Sequence, residues 1–365
     1  MPLEKLPLSH IVLDWNGQTV QLDTAGYEIS KILSLDMDTT LFIGQIDKME
    51  IYGGYIFVLD KEYAKKVFVF DSVGHMTACV GEIGHADKEF LRGPSDFAID
   101  KQNNELCVFE AETNKILRFT FDGELLSTTK IDEYWPYSFS VLNSGKYVFA
   151  FRMIDNNKST DGCEVVVSDT LMNVQQRWRP LERHHLFTKD FPFWSNGEQT
   201  FYVPNLSDTV LVFNSDSIVN RVYVDFQGHF IDSETAAKIK YDGDYKAAND
   251  KGQHVYSICK YEENEYWINI EYNIGVMMHY LRNKKTGKSY QGVSLFDGIF
   301  PIHGVTVSDK HIACIITAES IEQSKYMIDS GNSDIRAAYA RTNQVIRDMI
   351  NGKLSLPALL YIKLR

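Results

Sequence analysis

KVFVFDSVG at residues 66–74 and KILRFTFDG at residues 115–123 are two versions of one pattern, and they begin 49 residues apart. Each version is a run of β-branched, aromatic and other apolar residues that ends in an acidic residue and a glycine, as a strand followed by a turn does. Two strand-like runs precede each version, and one follows it. The chain between Ile43 and Leu126 therefore states one four-stranded unit twice, which is typical of the blades of a β-propeller.

The runs that precede the two versions match in order and character. They are IGQIDKM (43–49) and YIFVLD (55–60) in the first unit, and DFAID (96–100) and ELCVF (105–109) in the second. The same succession of short strand-like runs and turns continues to residue 317. We therefore predict an all-β fold, a six-bladed β-propeller of the NHL/TolB-like type, in which IGQIDKM is the innermost strand of the first blade.

The N-terminal part of the chain carries a separate signal. Asn16-Gly17 lies between two strand-like runs, and Asn-Gly is a strong hairpin signal. We assign residues 1–30 to an N-terminal hairpin or extension and residues 31–365 to the propeller.

The last part of the sequence changes period and then returns to strand character. Apolar residues between Ile335 and Ile350 recur at spacings of three and four, which predicts one amphipathic helix face within a helical segment at 321–351. The run that follows predicts a closing strand at 354–364. A ring that does not join its first and last blades leaves two exposed strand edges, so we predict that strands from both chain ends share the closing blade.

Composition excludes several classes of partner. The 49 Asp and Glu outnumber the 37 Lys and Arg, and the net charge of −12 argues against a nucleic-acid partner, because phosphate binding needs clustered basic residues. The five cysteines have no close pair, which favours free thiols over a disulfide framework. No apolar run is long enough to span a membrane, and the first residues lack the apolar region of a secretory signal. We expect membrane attachment only through a lipid anchor that this sequence does not contain.

A resemblance to a known family comes from the loop between the two units. The order Val80-Gly81-Glu82-Ile83-Gly84, then Glu89-Phe90, then Pro94 and a strand that closes on Ile99-Asp100, resembles NHL-like six-bladed β-propellers. In particular it resembles propeller proteins of the cell envelope of Bacteroidota, many of them predicted lipoproteins of unknown function. The resemblance implies a location in the periplasm or at the outer membrane.

Candidate binding residues follow from the propeller geometry. The sequence contains no nucleophile elbow, P-loop or zinc-protease motif, so we predict no catalytic residue, no cofactor and no metal ligand. Ligands of propellers usually meet the loops around the central channel, and we expect the innermost strands to begin at the mouth of that channel. On this register the predicted binding residues are Gln45, Asp96, Tyr137, Trp194, Tyr256 and His303.

These residues include aromatic rings that suit stacking on sugars or on peptide side chains, because a ring face offers apolar area and a Tyr or Trp edge offers a hydrogen bond. The leading functional hypothesis is a non-enzymatic binding or scaffold propeller of the bacterial cell envelope that recognises a glycan, peptide or protein on its loop face. The alternative is a metal-dependent propeller hydrolase or lyase with a site in the central channel, which requires several His, Asp, Glu or Asn side chains around one ion.

Overall fold

The fold was analysed in a computed structural model that describes residues 3–13, 27–37, 41–152, 157–180, 189–236, 238, 245–292, 294–295, 300–301, 305–331, 333–342, 344–353 and 355–364. A short 3₁₀-helix at Leu3–Lys5 precedes the first strand. The strands of the N-terminal half are β1 (Leu8–Val12), β2 (Tyr27–Ser34), β3 (Lys48–Tyr52), β4 (Tyr55–Asp60), β5 (Lys66–Phe70), β6 (Met76–Val80), β7 (Asp96–Asp100), β8 (Glu105–Glu110), β9 (Lys115–Phe119), β10 (Leu125–Lys130), β11 (Ser138–Val141), β12 (Tyr147–Ala150), β13 (Cys163–Ser168) and β14 (Val174–Pro180).

The C-terminal half continues the same succession and adds short helices. Its strands are β15 (Phe193–Ser195), β16 (Thr200–Tyr202), β17 (Thr209–Phe213), β18 (Ile218–Asp225), β19 (Ser257–Glu263), β20 (Trp267–Asn273), β21 (Met277–Asn283), β22 (Ser289–Gly292), β23 (Ser294–Leu295), β24 (Phe300–Pro301), β25 (Thr306–Ser308), β26 (His311–Ile316) and β27 (Ala358–Leu364). The helices are α1 (Asn157–Thr160), α2 (Ser233–Ala236), α3 (Lys246–Asp250), α4 (Ala318–Ser330), α5 (Ser333–Arg341) and α6 (Gln344–Ile350).

The strands form a six-bladed β-propeller, as the sequence predicts. Blades 1, 2, 3 and 5 are antiparallel sheets in the orders β3-β4-β5-β6, β7-β8-β9-β10, β11-β12-β13-β14 and β19-β20-β21-β22. Blade 4 has the order β15-β16-β17-β18, and β1 extends it as a fifth strand that pairs in parallel with β18. The small hairpin β23-β24 lies between blades 5 and 6 in the chain.

Blade 6 closes the ring with both ends of the chain. Its order is β25-β26-β27-β2, so the C-terminal strand β27 lies between β26 and the N-terminal strand β2. Tyr27 pairs with Leu364 and Ser34 with Ala358 in an antiparallel ladder. This confirms that strands from the two chain ends share the closing blade. It also places residues 27–30, which we assigned to the N-terminal extension, in the propeller, while the predicted hairpin turn at 16–17 lies outside the described residues.

The core is divided among the spaces between neighbouring blades. Phe57 and Phe97, for example, are fully buried between blades 1 and 2, and a comparable cluster fills each of the other inter-blade spaces. Burying a large apolar side chain stabilises the fold by about 1.5–3 kcal/mol. Stability therefore accumulates around the ring, and each blade depends on both of its neighbours.

The repeated turn glycines have a conformational reason. Gly74 and Gly123, which end the two matching sequence runs, have φ of +92° and +85°. Residues with a Cβ rarely adopt this left-handed region. At Gly74 a Cβ would also collide with the carbonyl oxygen of Ser34 in β2, so blade 1 approaches the closing blade closely there.

Two sequence predictions need correction. The innermost strand of blade 1 begins at Lys48 and not at Ile43, so residues 43–47 form the connection that leads into β3. The segment 321–351 forms three helices, α4 to α6, where we predicted one amphipathic face. Ile346, Met349 and Ile350 pack against the cluster between blades 5 and 6, whereas Val345 is 41% exposed.

Candidate ligand-binding cavity

The innermost strands β3, β7, β11, β15, β19 and β25 surround the central axis. Each belongs to one blade, and all run in the same sense along the axis. We call the end where these strands begin the start end, marked by Lys48, Asp96 and Ser138, and the other the finish end, marked by Tyr52 and Ser195. The two ends differ in how their polar groups are used.

Polar groups at the start end bind one another across blades. Lys48 Nζ donates to Asp96 Oδ1 at 2.9 Å and to the carbonyl oxygen of Phe97 at 2.6 Å. Asp96 also accepts hydrogen bonds from Ser138 Oγ at 2.5 Å and from the backbone N–H groups of Phe97 and Phe139. Asp96 is fully buried, and Lys48 is 2% exposed. These bonds join blades 1, 2 and 3 into one saturated node, which we call the Asp96 node.

A cavity of about 640 Å³ opens at the finish end. Its aromatic lining comes from Tyr52 at the end of β3, Trp194 in β15, Phe201 in β16 and Tyr361 in β27. Carboxylates, amides and hydroxyls from blades 1, 4, 5 and 6 complete the lining. Pockets of this volume that combine aromatic faces with a few placed polar groups are typical of sites for small ligands or single side chains.

Trp194 forms the floor of this cavity. Its side chain extends from blade 4 across the axis, so that its ring centroid lies 3.7 Å from Lys260 Nζ and 5.8 Å from Lys48 Nζ of the opposite blade 1. An ammonium over an indole face is attracted by the ring quadrupole. Trp194 is 7% exposed, and among the described residues its Nε1 has no hydrogen-bond acceptor. The indole therefore separates the cavity from the start end.

Two carboxylates enter the cavity from inner strands, and their surroundings differ. Glu262 in β19 accepts hydrogen bonds from Thr306 Oγ1 at 2.6 Å and from Asn269 Nδ2 at 2.9 Å, and it lies 3.1 Å from Lys260 Nζ. Glu50 in β3 is 8% exposed and accepts no hydrogen bond from the part of the chain that the structure describes. Its nearest cation is Lys48, at 3.6 Å.

Two lysines border the same space. Lys101 Nζ donates to the carbonyl oxygen of Ser195 and lies 5.3 Å from the ring centroid of Tyr52. Burial lowers the pKa of Lys101, and the charges of Glu50 and Glu262 oppose this shift. Lys31 Nζ donates to the carbonyl oxygen of Ser72 at 2.9 Å. Both ammonium groups are therefore held by carbonyl groups of the chain.

Tyr361 and the rim add further polar character. Burial, followed by the charge of Asp309, raises the pKa of the Tyr361 hydroxyl. The rim also bridges blades, because Asn196 Nδ2 donates to the carbonyl oxygen of Glu263 at 2.9 Å. Asn264 Nδ2 donates to the carbonyl oxygen of Asp309 at 3.0 Å.

The structure describes five of the six residues that the sequence singles out and places them in different surroundings. Gln45 lies in the connection before β3, where its backbone N–H donates to Asp60 Oδ2 at 3.1 Å. Asp96 is saturated in the node at the start end. Tyr137 precedes β11, its ring centroid is 4.8 Å from the guanidinium carbon of Arg152, and burial raises its pKa.

The remaining three positions are Tyr256, His303 and Trp194. Tyr256 precedes β19 and stacks on Tyr245 at 3.9 Å, with its hydroxyl 2.8 Å from Asn249 Oδ1, in a small cluster beside α2 and α3. His303 lies outside the described residues. Trp194 is the member of the described five that lines the cavity. The six positions stay predicted binding residues. Of those described, Gln45, Asp96, Tyr137 and Tyr256 lie at or just before the start of an inner strand, and Trp194 lines the finish-end cavity.

The cavity residues that sequence reasoning missed include Glu50, Tyr52 and Lys101. A signal for two of them was present, because Lys48, Glu50 and Tyr52 are the alternate positions of the run KMEIY. In a strand, alternate side chains point to the same face. Polar residues at alternate positions of an inner strand therefore mark the channel face, while Met49 and Ile51 pack toward the cluster between blades 6 and 1.

Two other kinds of site, a metal centre and a membrane-spanning helix, are absent from the described residues. No group of three or more His, Cys, Asp or Glu side chains in the described ranges is arranged to hold a metal ion. Within the same ranges, no helix has the length and apolarity needed to cross a membrane.

Comparison with solved structures supports the fold. A protein from Bacteroides fragilis NCTC 9343 described as a "putative exported protein" superposes with a TM-score of 0.74 at 15% identity, over 98% of this chain and 99% of the other. A member of the DUF4221 family from Bacteroides vulgatus ATCC 8482 gives a TM-score of 0.49 at 9% identity, over 93% and 97% of the two chains. This second likeness is too weak to carry an argument. No curated protein matches the chain.

A comparison with family models assigns the chain to a family. A model described as "Domain of unknown function (DUF4934)" matches residues 16–341, which include strands of all six blades and end with α5, before β27. The protein therefore belongs to the DUF4934 family.

Proposed function

We propose that this chain is a non-enzymatic binding propeller of the bacterial cell envelope, and that the finish-end cavity takes a glycan or a segment of a peptide or protein. The observation that carries the proposal is the cavity itself, about 640 Å³ in volume, with Trp194 as its floor and Tyr52 and Tyr361 on its walls. Aromatic faces bind sugar rings or apolar stems, and the surrounding hydroxyl, amide and carboxylate groups fix the orientation of polar ligands.

The cellular location is part of the same proposal. The loop sequence between blades 1 and 2 resembles that of NHL-like envelope propellers of Bacteroidota, many of them predicted lipoproteins. The similar Bacteroides fragilis protein is described as a "putative exported protein". Both observations support a periplasmic or outer-membrane-associated protein that meets its ligand outside the cytoplasm.

A glycan array and a peptide library, each probed with the purified protein, test the proposal. A matched pair of variants then locates the bound ligand. Ser308→Trp places an indole in the cavity, and Ser127→Trp makes the same substitution on the exposed strand β10 of blade 2. We expect Ser308→Trp to weaken binding of the ligands found by at least about tenfold, which corresponds to roughly 1.4 kcal/mol, and Ser127→Trp to leave it unchanged.

One result would contradict the proposed site. If every ligand found binds Ser308→Trp as tightly as it binds the original chain, the cavity is not the binding site. Elemental analysis of the same preparations addresses the metal-dependent alternative, since a stoichiometric metal ion lost on substitution of a channel carboxylate would favour an enzyme.

A further inference from the structure

Glu50 is a largely buried carboxylate of the channel whose one close cation among the described residues is Lys48, at 3.6 Å. The carboxylate is 8% exposed, lines the cavity, and receives no hydrogen bond from any described donor. A carboxylate can accept about four hydrogen bonds, and Glu50 has this capacity at the cavity that it lines. Glu262, on the wall formed by blade 5, shows how the fold satisfies such a group when it is structural, because blades 5 and 6 supply its donors.

The described lysines nearest to Glu50 donate their hydrogen bonds to other groups. Lys48, 3.6 Å from Glu50, already donates to Asp96 and to the Phe97 carbonyl. Lys101 attracts Glu50 electrostatically, but its ammonium donates to the Ser195 carbonyl. Among the described residues, neither of these lysines donates a hydrogen bond to Glu50, so a ligand in the cavity can supply the donor.

The lining of the cavity carries charges of both signs. The cavity is lined by four carboxylates, Glu50, Glu262, Glu263 and Asp309, and by two lysines, Lys31 and Lys101. Three of these carboxylates also have a lysine beside them, because Lys48, Lys260 and Lys284 lie 3.6, 3.1 and 2.5 Å from Glu50, Glu262 and Glu263. Of the three, Glu50 has the longest pairing distance.

We propose that the cavity binds a primary ammonium group of a peptide ligand, a lysine side chain, with Glu50 as the accepting carboxylate. This inference rests on the proposed function of the same cavity. Glu50 lies two residues before the end of β3, so it sits roughly 7 Å below the rim at 3.3–3.4 Å per strand residue. The lysine ammonium is a compact charge on a flexible four-carbon stem, which reaches such a depth while the peptide backbone stays at the rim.

The rim fits a peptide above the buried ammonium. Ser195 and Ser308 contribute hydroxyl groups to the lining that can bond backbone groups of a ligand, whereas the Asn196 amide is already bonded to Glu263, Glu198 and Gln199. Tyr52 and Trp194 offer apolar faces for the methylene stem. An amino sugar carries the same ammonium chemistry, but its amine is attached directly to the ring, so the whole ring would have to descend to Glu50.

Calorimetric titration with four probes tests the inference: Nα-acetyl-lysine methylamide, its Nε-acetylated form, glucosamine and N-acetylglucosamine. The variants are Glu50→Gln, which removes the charge at constant shape, Glu50→Asp, which keeps it, and Glu198→Gln, a matched control at an exposed turn of blade 4. We expect the lysine probe to bind, Nε-acetylation and Glu50→Gln each to weaken binding at least about tenfold, Glu50→Asp to weaken it less, and Glu198→Gln to change nothing.

Several results would overturn the inference. They are equal binding of the two lysine probes, unchanged binding by Glu50→Gln in a protein with native circular dichroism, or no binding of the lysine probe. Tighter, Glu50-dependent binding of glucosamine would replace the peptide by an amino sugar. If array ligands lose binding to Ser308→Trp but not to Glu50→Gln, the cavity function stands and the ammonium inference fails. If Ser308→Trp affects no ligand, the proposed function itself fails.

Discussion

The two ends of the central channel contain the same kinds of residue and use them differently. At the start end, Asp96 accepts hydrogen bonds from Lys48 and Ser138. At the finish end, Glu50 and Tyr52 come from the same strand as Lys48, yet they border a cavity. Trp194 lies between the two levels. A charged residue in a propeller channel is therefore no sign of a ligand until its partners within the chain are known.

Other start-end groups follow the same rule. Lys189 Nζ donates to the carbonyl oxygens of Ile258 at 2.6 Å and Pro204 at 2.9 Å, which joins blade 4 to blade 5. Asp190 pairs with Arg152 at 3.1 Å and with Lys61 at 3.5 Å. The polar groups of the start end bond neighbouring blades to one another. At the finish end, the Glu50 carboxylate accepts no hydrogen bond from the described residues and can accept one from a ligand.

Both ends of the channel exist only in a closed ring, so opening the ring should have the largest effect on stability. Removing residues 354–365 deletes β27, which pairs with both β26 and β2. We expect the truncated chain to lose its cooperative unfolding transition in chemical denaturation, because blade 6 loses the strand that connects its inner and outer halves. Addition of a peptide with the sequence of residues 354–365 is the control, and a truncated chain that unfolds like the original would contradict the closure.

Breaking the Asp96 node should give the next largest effect. Asp96→Ala leaves Lys48 buried without its carboxylate, and removal of one partner of a buried pair costs about 3–5 kcal/mol. Asp122→Ala, at an exposed turn of the same blade, is the matched control, and we expect it to change the free energy of unfolding by less than about 0.5 kcal/mol. Urea denaturation measures both. Equal stabilities for the two variants would remove the structural role assigned to the start end.

The pH dependence of stability tests the start end a second way. Burial lowers the pKa of Lys189 to about 8, from the usual value of 10.5. Between these values the unfolded chain binds more protons than the folded one, so this group makes the free energy of unfolding rise with pH. We expect the stability of the original chain relative to Lys189→Met to increase from pH 8 to pH 10. A pH-independent difference would show that Lys189 titrates normally.

The smallest effect on stability should come from Glu50. Glu50→Gln removes a carboxylate that accepts no hydrogen bond from the described chain, so we expect the free energy of unfolding to change by no more than about 1 kcal/mol. Thermal and urea denaturation give the value. A loss as large as that of Asp96→Ala would make Glu50 a structural group and would erase the difference between the two ends.

The fold was predictable because its signals are local. The runs 55–60 and 96–100 coincide with β4 and β7, and alternating apolar strands with glycine turns repeat with each blade. Errors occurred where neighbours in space decide. Ile43 and Ile46 look like strand residues, but β3 begins at Lys48, whose ammonium binds the next blade. The apolar spacing between Ile335 and Ile350 fits one helix, yet α5 and α6 are separate.

The site was less predictable, because the use of a polar group depends on distant partners. Asp96 and Glu50 are both acidic residues on inner strands. Ser138, which lies 42 residues after Asp96 in the chain, helps to saturate the first, and no comparable donor reaches the second within the described chain. Trp194 was singled out from the sequence for its place in an inner strand, and it is a channel residue. Which end of the channel stays open depends on these long-range pairings.

The most direct test of the account is a crystal structure of the protein soaked with Nα-acetyl-lysine methylamide. We predict density for the probe in the finish-end cavity, with its ammonium within hydrogen-bond distance of Glu50 and its stem against Trp194, and an unchanged Asp96 node. Density for the probe at the start end beside Tyr137 and Asp190, with the cavity empty, would contradict the account.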